Sequence, residues 1–386
     1  MTVGRTLVLG GGIFGVTASL ELRRRGWEVT LADPGPLPRP LASSTDRSKV
    51  IRADYGTDEF LSGAAQTCLD GWRRWNRERF TRPLFHEVGF LLLSRSPLEP
   101  GSFEHASYEL LARRGMSVEP LDQEAIHRRF PAWSADAFPA GYLSREAGWA
   151  ESGAVVAELV REAEQEGVEI VQDRAESLSM RGGRATGARL AGRGPLEADR
   201  VVVAAGAWTP ELVPDPGFRA SAMPVLLFAP SDPAAFRPPA FPVWGADIAR
   251  TGWYGFPAGE DGIVKIGHHG RGWDGTPEEG GTVPPEWEQR CRRFLSESIP
   301  GLADAPLAGS RVCHYCDSTD GDFWIAADPE RGGLVVAAGG SGHGFKFAPL
   351  LGGWIADVVE GTPAHERFRW RPRAAPGAEE ARYRGE

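Results

Sequence analysis

Thr6-Leu7-Val8-Leu9-Gly10-Gly11-Gly12-Ile13-Phe14-Gly15 passes from a short apolar run directly into a glycine turn, and its reading decides the fold. The first four residues suit a buried strand. Val16 to Arg25 then carries apolar residues at helical spacing and meets a stop at Gly26. Trp27 to Ala32 reads as a second strand, ending on Asp33. Strand, glycine turn, helix, strand and acid is the order of a dinucleotide-binding unit. Gly10, Gly12 and Gly15 let backbone approach a pyrophosphate at the helix N-terminus, and an acid 18 residues after Gly15 meets a ribose hydroxyl.

Outward from this unit, Val155 to Gly167 has an amphipathic helical pattern, followed by a strand at Val168 to Gln172. Val201 to Gly206 is a buried strand ending in small residues. Leu334 to Ala338 with Gly339-Gly340 repeats that pattern before a helix over Pro349 to Val359. These parallel-type strands lie far apart in the chain, so the nucleotide domain is expected to be discontinuous: 1–85, 145–215 and 310–365. Val88 to Leu93, Trp253 to Phe256 and Ile263 to Gly267 read as strands of a second, mostly antiparallel sheet, giving a substrate domain at 86–144 and 216–309. The predicted class is α/β, a Rossmann-type domain beside an α+β domain. Pro-rich 230–242 and 274–285 read as loops. The tail 366–386, rich in Arg, Pro and Glu, is expected to be solvated and partly disordered, its RFRWRPR stretch at most touching an acidic partner.

Composition narrows the function. The 386 residues carry 43 basic and 52 acidic side chains, net −9, with 41% hydrophobic and 25% charged residues. These are globular values. The acidic balance argues against a nucleic-acid surface, and no apolar run reaches membrane-spanning length. Four cysteines make no disulfide framework, so a cytoplasmic protein acting as a monomer is expected. Only three of the 43 basic residues are lysine: Lys49, Lys265 and Lys346. In a chain that otherwise uses arginine, a retained lysine marks a place where a compact, pKa-shiftable ammonium is needed. Cys313 and Cys316 form a C-x-x-C, the spacing of a redox pair or half a zinc site. No second such pair exists, Cys68 and Cys291 stand alone, and His268-His269 lacks acidic neighbours, so no metal is expected.

The glycine motif alone does not separate NAD from FAD. Val201 to Trp208 (VVVAAGAW) resembles the segment that closes over the dinucleotide in FAD oxidoreductases of the D-amino-acid-oxidase superfamily. Arg311 to Phe323 (RVCHYCDSTDGDF) resembles the covalent-flavin segment of monomeric sarcosine oxidase and its relatives. Gly339 to Phe347 (GGSGHGFKF) is similar to their C-terminal flavin loop, Ser44 to Tyr55 (STDRSKVIRADY) to their loop at the flavin ring, and Ile263 to His269 to their oxygen-activating segment. The resemblance covers about half of the chain, and all three lysines fall inside it.

That resemblance implies roles for individual residues. FAD would be held by Gly10, Gly12, Ile13, Phe14, Gly15 and Asp33, by Ser43, Ser44, Lys49 and Arg52, and by Ala205, Gly206 and Trp208. The C-terminal loop adds Gly340, Ser341, Gly342, His343, Gly344 and Lys346. Cys313 would be joined to the flavin 8α-methyl group, with Cys316 incidental. Arg52 and Lys346 would clamp a substrate carboxylate, Lys265 would promote reaction with O2, and Tyr254, His269 and Tyr315 would line the cavity. The implied activity is oxidation of an N-substituted or cyclic amino acid to an imine by hydride transfer, with O2 reoxidising the flavin to give hydrogen peroxide. A dehydrogenase passing electrons to a quinone or protein acceptor is the alternative. Sarcosine oxidases carry a His pair where this chain has Ser44-Thr45, and Arg in place of Lys49, whereas fructosyl-amino-acid oxidases (amadoriases) use Lys there. Sarcosine itself is therefore expected to be a poor substrate. Two buried unpaired cations would make a substrate carboxylate obligatory.

Overall fold

The structure, a computed structural model, describes residues 3–214, 216–279, 281–363, 365–372 and 375–385. Its organising element is a six-stranded sheet in the order Trp324–Ala327, Leu334–Ala338, Arg200–Val203, Arg5–Leu9, Glu28–Asp33, Glu169–Gln172. Every neighbouring pair is parallel except the first, which is antiparallel. Val8 sits between Val202 and Leu31 in register, and Val8, Val202, Val203 and Val336 have no exposed surface. Strands apolar on both faces need helices on both sides or one side plus a second layer. Helix Ile13–Arg24 supplies one such cover and is flanked by Ser152–Gln165 and Ala348–Val359. Chain order reverses between Arg5–Leu9 and Arg200–Val203, which opens a crevice at the carboxyl ends of the strands. The expected strands and helices all form, with ends shifted by at most three residues.

The second sheet runs Trp273–Asp274, Arg219–Phe228, Val264–His268, Trp253–Phe256, Val243–Ala246, Phe90–Ser94, Ala140–Ser144, Val118–Asp122, with Leu307–Asp317 pairing Arg219–Phe228. It is antiparallel throughout except between Val243–Ala246 and Phe90–Ser94, as the mostly antiparallel reading requires. Cross-strand partners share a sheet face. Cys313 pairs with Met223, Tyr315 with Ser221, Lys265 with Leu227 and Phe256, and Gly267 with Tyr254 and Val225. Period-two alternation therefore puts Cys313, Tyr315, Tyr254 and Lys265 on one face. A three-stranded sheet of Lys49–Ile51, Gly148–Ala150 and Phe85–His86 carries Lys49 and delivers Arg52 just beyond its end.

The tail differs from its sequence reading. Phe368, Ala381 and Arg382 are buried. The basic stretch finds acids in its own chain: Arg371 grips both oxygens of Asp320 at 2.6 and 3.0 Å, and Arg367 pairs with Asp58 and Asp322. Composition signals disorder when there is too little to bury; here internal carboxylates replace the missing apolar area. Residues 373, 374 and 386 of the expected tail lie outside the described residues. Among the described residues, no helix is long and apolar enough to cross a membrane.

Candidate active site

Gly10 makes the turn out of the first strand at a φ of 107°, a conformation that side-chain-bearing residues avoid. Gly15 lies against the carbonyl of Gly10, where any Cβ would overlap it. The helix therefore starts hard against the strand end, with its first N–H groups at the crevice. Ser44 Oγ accepts from Ile13 N at 3.0 Å, which ties the 42–55 loop to that helix end. Asp33 is buried at the tip of its strand and accepts from Gly11 N at 2.8 Å. Burial pushes its pKa up, and the Gly11 and Gly35 N–H groups oppose the shift.

The crevice is walled by Gly10, Gly12, Ile13, Phe14 and Asp33, by Ser43, Ser44 and Lys49, by Ala205, Gly206 and Trp208, and by Gly340 to Gly342 with Gly344. Fifteen of the twenty residues assigned to the cofactor thus face one cleft. Of the others, Gly15 packs behind the turn, and Arg52, His343 and Lys346 line the adjoining cavity. Cys313 lies outside the lining, its Sγ 3.7 Å from Lys49 Nζ. Cys316, read as incidental, does line the cleft.

A second cavity adjoins the first, lined by Arg52, Tyr254, His269, His343 and Lys346. Lys49, Tyr315, Gly342 and Phe345 border both. Five of the six catalytic candidates meet here. Lys346 is buried, and its Nζ donates to Tyr55 Oη and to the His343 carbonyl, both at 2.9 Å. Burial and the nearby Arg52 charge bring its pKa down to about 7. Burial also lowers His269, leaving a neutral ring, and pushes Tyr254 up to about 12.

Arg52 is also buried, yet one of its arms is already taken. Nη2 donates to Glu379 at 2.8 Å, and the other oxygen of Glu379 lies 2.9 Å from His269 Nε2. Nη1 has no hydrogen-bond partner among the described residues. The expectation of an obligatory substrate carboxylate rests on two unpaired cations, and the pairing of Arg52 with Glu379 removes half of that basis. Burial opposes the Glu379 charge, but Arg52, His343 and His269 together outweigh it and hold the carboxyl well below its usual range.

Lys265, the sixth candidate, faces the seam from behind. Its Nζ donates to Asp46 Oδ2 at 2.7 Å and to the Ser48 carbonyl at 2.6 Å, and it lines neither cavity. The same Asp46 oxygen accepts from Lys49 at 3.1 Å. Burial lowers Lys265 to about 8 against the pull of Asp46. Burial works against Lys49 as well, but Cys313 and Asp46 together raise it.

Several lining residues had no sequence signal. Arg39 stacks over Trp208 at 4.1 Å, while Glu278 accepts from Trp208 Nε1 at 2.6 Å and pairs with Arg174 at 3.0 Å. Glu379, which lines neither of these cavities but one that adjoins the second at His343, is 327 residues from its partner Arg52. Among the described residues, no group of three or more His, Cys, Asp or Glu is placed to hold a metal ion.

Known proteins resemble this chain over nearly its whole length. The family model described as FAD dependent oxidoreductase (DAO) matches residues 5–358. Monomeric sarcosine oxidase from Bacillus sp. (strain B-0618) is 26% identical over 371 residues, covering 93% of each chain. N-methyl-L-tryptophan oxidase from Citrobacter koseri is 27% identical, covering 93% of this chain and 96% of that relative. The solved structure of fructosamine oxidase (amadoriase II) from Aspergillus fumigatus superposes with a TM-score of 0.82 at 27% identity, covering 96% of this chain and 90% of that one.

Proposed function

Because this chain belongs to the DAO family of FAD-dependent oxidoreductases, we propose that it oxidises an N-substituted or cyclic amino acid in the second cavity, with O2 as electron acceptor and hydrogen peroxide as product. The observation that carries this reading is the shared wall of the two cavities. Lys49, Tyr315, Gly342 and Phe345 bring a dinucleotide cleft directly against a pocket containing an arginine arm and a lysine.

The cleft suits FAD by its donor set. Backbone N–H groups at the helix start can meet a pyrophosphate, Asp33 offers a carboxylate acceptor to a ribose, and glycines on the C-terminal loop leave room against the ring system. FAD held there would supply the two-electron redox chemistry. The chain's part is to bind and orient. Arg52 Nη1 and the remaining N–H of protonated Lys346, two groups on the wall of one cavity, are left to serve as carboxylate donors. Neutral His269 and the un-ionised Tyr254 and Tyr315 line the pocket without adding charge, so the amine can bind unprotonated. Fixing the substrate this way lowers the entropic part of the barrier to such a transfer.

Two finer assignments rest on resemblance. Cys313 is assigned to a covalent bond with the flavin, and Lys265 to oxygen reactivity. The three named relatives are oxidases of sarcosine, N-methyl-L-tryptophan and fructosamine, which favours substituted nitrogen over primary amines.

The test is direct. Purified protein should be yellow, bleach anaerobically with an N-substituted amino acid, and release peroxide when air is admitted. Turnover with an artificial dye but none with air would make it a dehydrogenase. Acid precipitation should leave colour in the pellet for wild type and for Cys316→Ala, and none for Cys313→Ala. Colour lost only in Cys316→Ala would move the bond to the cysteine that lines the cleft.

A further inference from the structure

Glu379 comes from a segment that composition assigns to solvent, yet its side chain is only 3% exposed. It divides its two oxygens between Arg52 and His269, both of which line the second cavity. The segment is tied down on both sides. Upstream, Gly377 N donates to the Thr319 carbonyl at 3.0 Å. Downstream, Thr57 donates to Glu380, Arg382 grips both oxygens of buried Asp317 at 2.7 Å, and Tyr383 N donates to the His269 carbonyl. Backbone fixed at this many points does not wander, so the carboxylate, which itself opens on a neighbouring cavity beside Tyr55 and Asp322, is a permanent partner of two residues that line the second one. It holds one arm of the arginine that otherwise would meet a substrate carboxylate with both.

We propose that Glu379 is a specificity-determining residue: a carboxylate delivered by the chain's own C-terminal segment half-occupies the carboxylate receptor of the second cavity. A substrate carboxylate then finds one arm of Arg52 together with Lys346, in a field already partly cancelled by a fixed anion. The discrimination between carboxylate-bearing amines and their carboxylate-free counterparts is thereby reduced. The same fixed anion disfavours a second acid group on the substrate near His269. This inference rests on the reading that Arg52 and Lys346 face the substrate.

Glu379→Gln keeps the shape and removes the charge. The probes are propionate and its neutral isostere propionamide, titrated calorimetrically into the oxidised holoenzyme, with turnover on proline and pyrrolidine as a matched pair. The expected result is propionate binding about tenfold tighter in the variant, on the scale of close charge pairs inside interfaces, with propionamide unchanged. The proline-to-pyrrolidine ratio of kcat/KM should rise in the same direction. The melting temperature should fall and recover as propionate saturates, since the added anion replaces the lost partner of Arg52. Unchanged or weaker propionate binding would show Glu379 to be a structural pillar and overturn the proposal. Should Glu379→Gln fail to fold, Glu379→Asp withdraws the charge by one methylene and should tighten propionate to a smaller degree; no tightening there is equally fatal. Arg52→Gln separates the two readings. If it binds propionate as wild type does, the cavity is no carboxylate site and the functional reading itself falls; if it loses propionate while Glu379→Gln leaves binding unchanged, only the role given to Glu379 falls.

Discussion

In the dinucleotide cleft the chain offers its ligand mostly backbone and small residues: Gly10 and Gly12 at one wall, Ala204 to Gly206 at another, Gly339 to Gly342 at a third. In the cavity beyond Lys49 and Tyr315 it offers charge: Arg52, Lys346 and His269 line it, and Glu379 stands behind Arg52 and His269, bonded to both. The first arrangement costs little to leave empty, because its polar groups are strand ends and a helix start. The second must balance its own charges before any substrate arrives, since an isolated buried ion is expensive. A cleft of the first kind is built from a few short segments of backbone and small residues, each readable as a local motif. A cavity of the second kind is tuned by residues from anywhere in the chain, and substrate identity can change while the cofactor stays.

The largest expected effect breaks the cleft. Gly15→Val places a branched side chain where even a Cβ overlaps the Gly10 carbonyl, so the turn must open and the helix start must leave the crevice. The purified variant should be colourless, judged by its visible absorbance against that at 280 nm. Retention of full flavin would mean that the cleft does not bind by close backbone approach.

The seam between the two regions comes next. Lys265→Met should slow reoxidation of the reduced enzyme by about 100-fold or more, the scale of losing one preorganised electrostatic donor, with much less effect on anaerobic reduction. Stopped-flow measurement of both half-reactions separates these. Lys49→Met is the control, because Lys49 borders both cavities and shares Asp46 with Lys265. A defect in reoxidation confined to Lys49→Met would transfer the role to that residue.

These two regions were also unequally legible in the sequence. Gly10, Gly12, Gly15 and Asp33 stand within one strand-helix-strand unit, where local spacing determines the spatial arrangement. Arg52 and Lys346 were legible through the resemblance of their segments and do meet in one cavity. Glu379 was illegible, because nothing within its own segment marks it: Ala, Glu and Arg around it read as solvated, and only tertiary pairing 327 residues away gives it a role. Arg39 and Glu278 are similar cases, long polar side chains brought to the cleft rim by strands and loops that periodicity does not order. Some strands of both sheets were legible because apolar runs between turn residues are local signals, whereas Arg219–Phe228, Val243–Ala246, Ala140–Ser144, Val118–Asp122, Leu307–Asp317 and Trp324–Ala327 were not read.

A smaller effect sharpens the charge balance of the cavity. Lys346 titrates at about 7, lowered by burial and then by Arg52, so in the free enzyme it is protonated below that pH and neutral above it. An anion that needs the protonated form should bind with constant affinity on the acid side. Its dissociation constant should then rise about tenfold per pH unit above 7, in step with the loss of one proton. Propionate titrations from pH 6 to 9 check this, and Lys346→Met should be weaker throughout and flat. A wild-type profile as flat as the variant's would show that Arg52 alone holds the anion.

The smallest effect asks whether the C-terminal segment acts as one unit. Arg371 is partly buried, grips Asp320 with two nitrogens and stacks over Trp324 at 5.0 Å. Arg371→Gln should cost about 1–2 kcal/mol, between an exposed ion pair and a well-made charged hydrogen bond, read as a shift of a few degrees in a thermal melt. Glu379 lies eight residues further on, beyond the Gly377–Thr319 tie and ahead of the Arg382–Asp317 pair. If each tie holds its own stretch, the variant loses stability while propionate affinity stays within about twofold of wild type, as for well-separated sites. If the segment moves together, loosening Arg371 frees the carboxylate from Arg52, and propionate binds more tightly, as expected for Glu379→Gln. The independent outcome is the expected one, because the downstream pair is buried and two-pronged and lies nearer to Glu379 in the chain than Arg371 does. A tightened anion site in Arg371→Gln would instead make the whole segment from Arg367 onward part of the receptor.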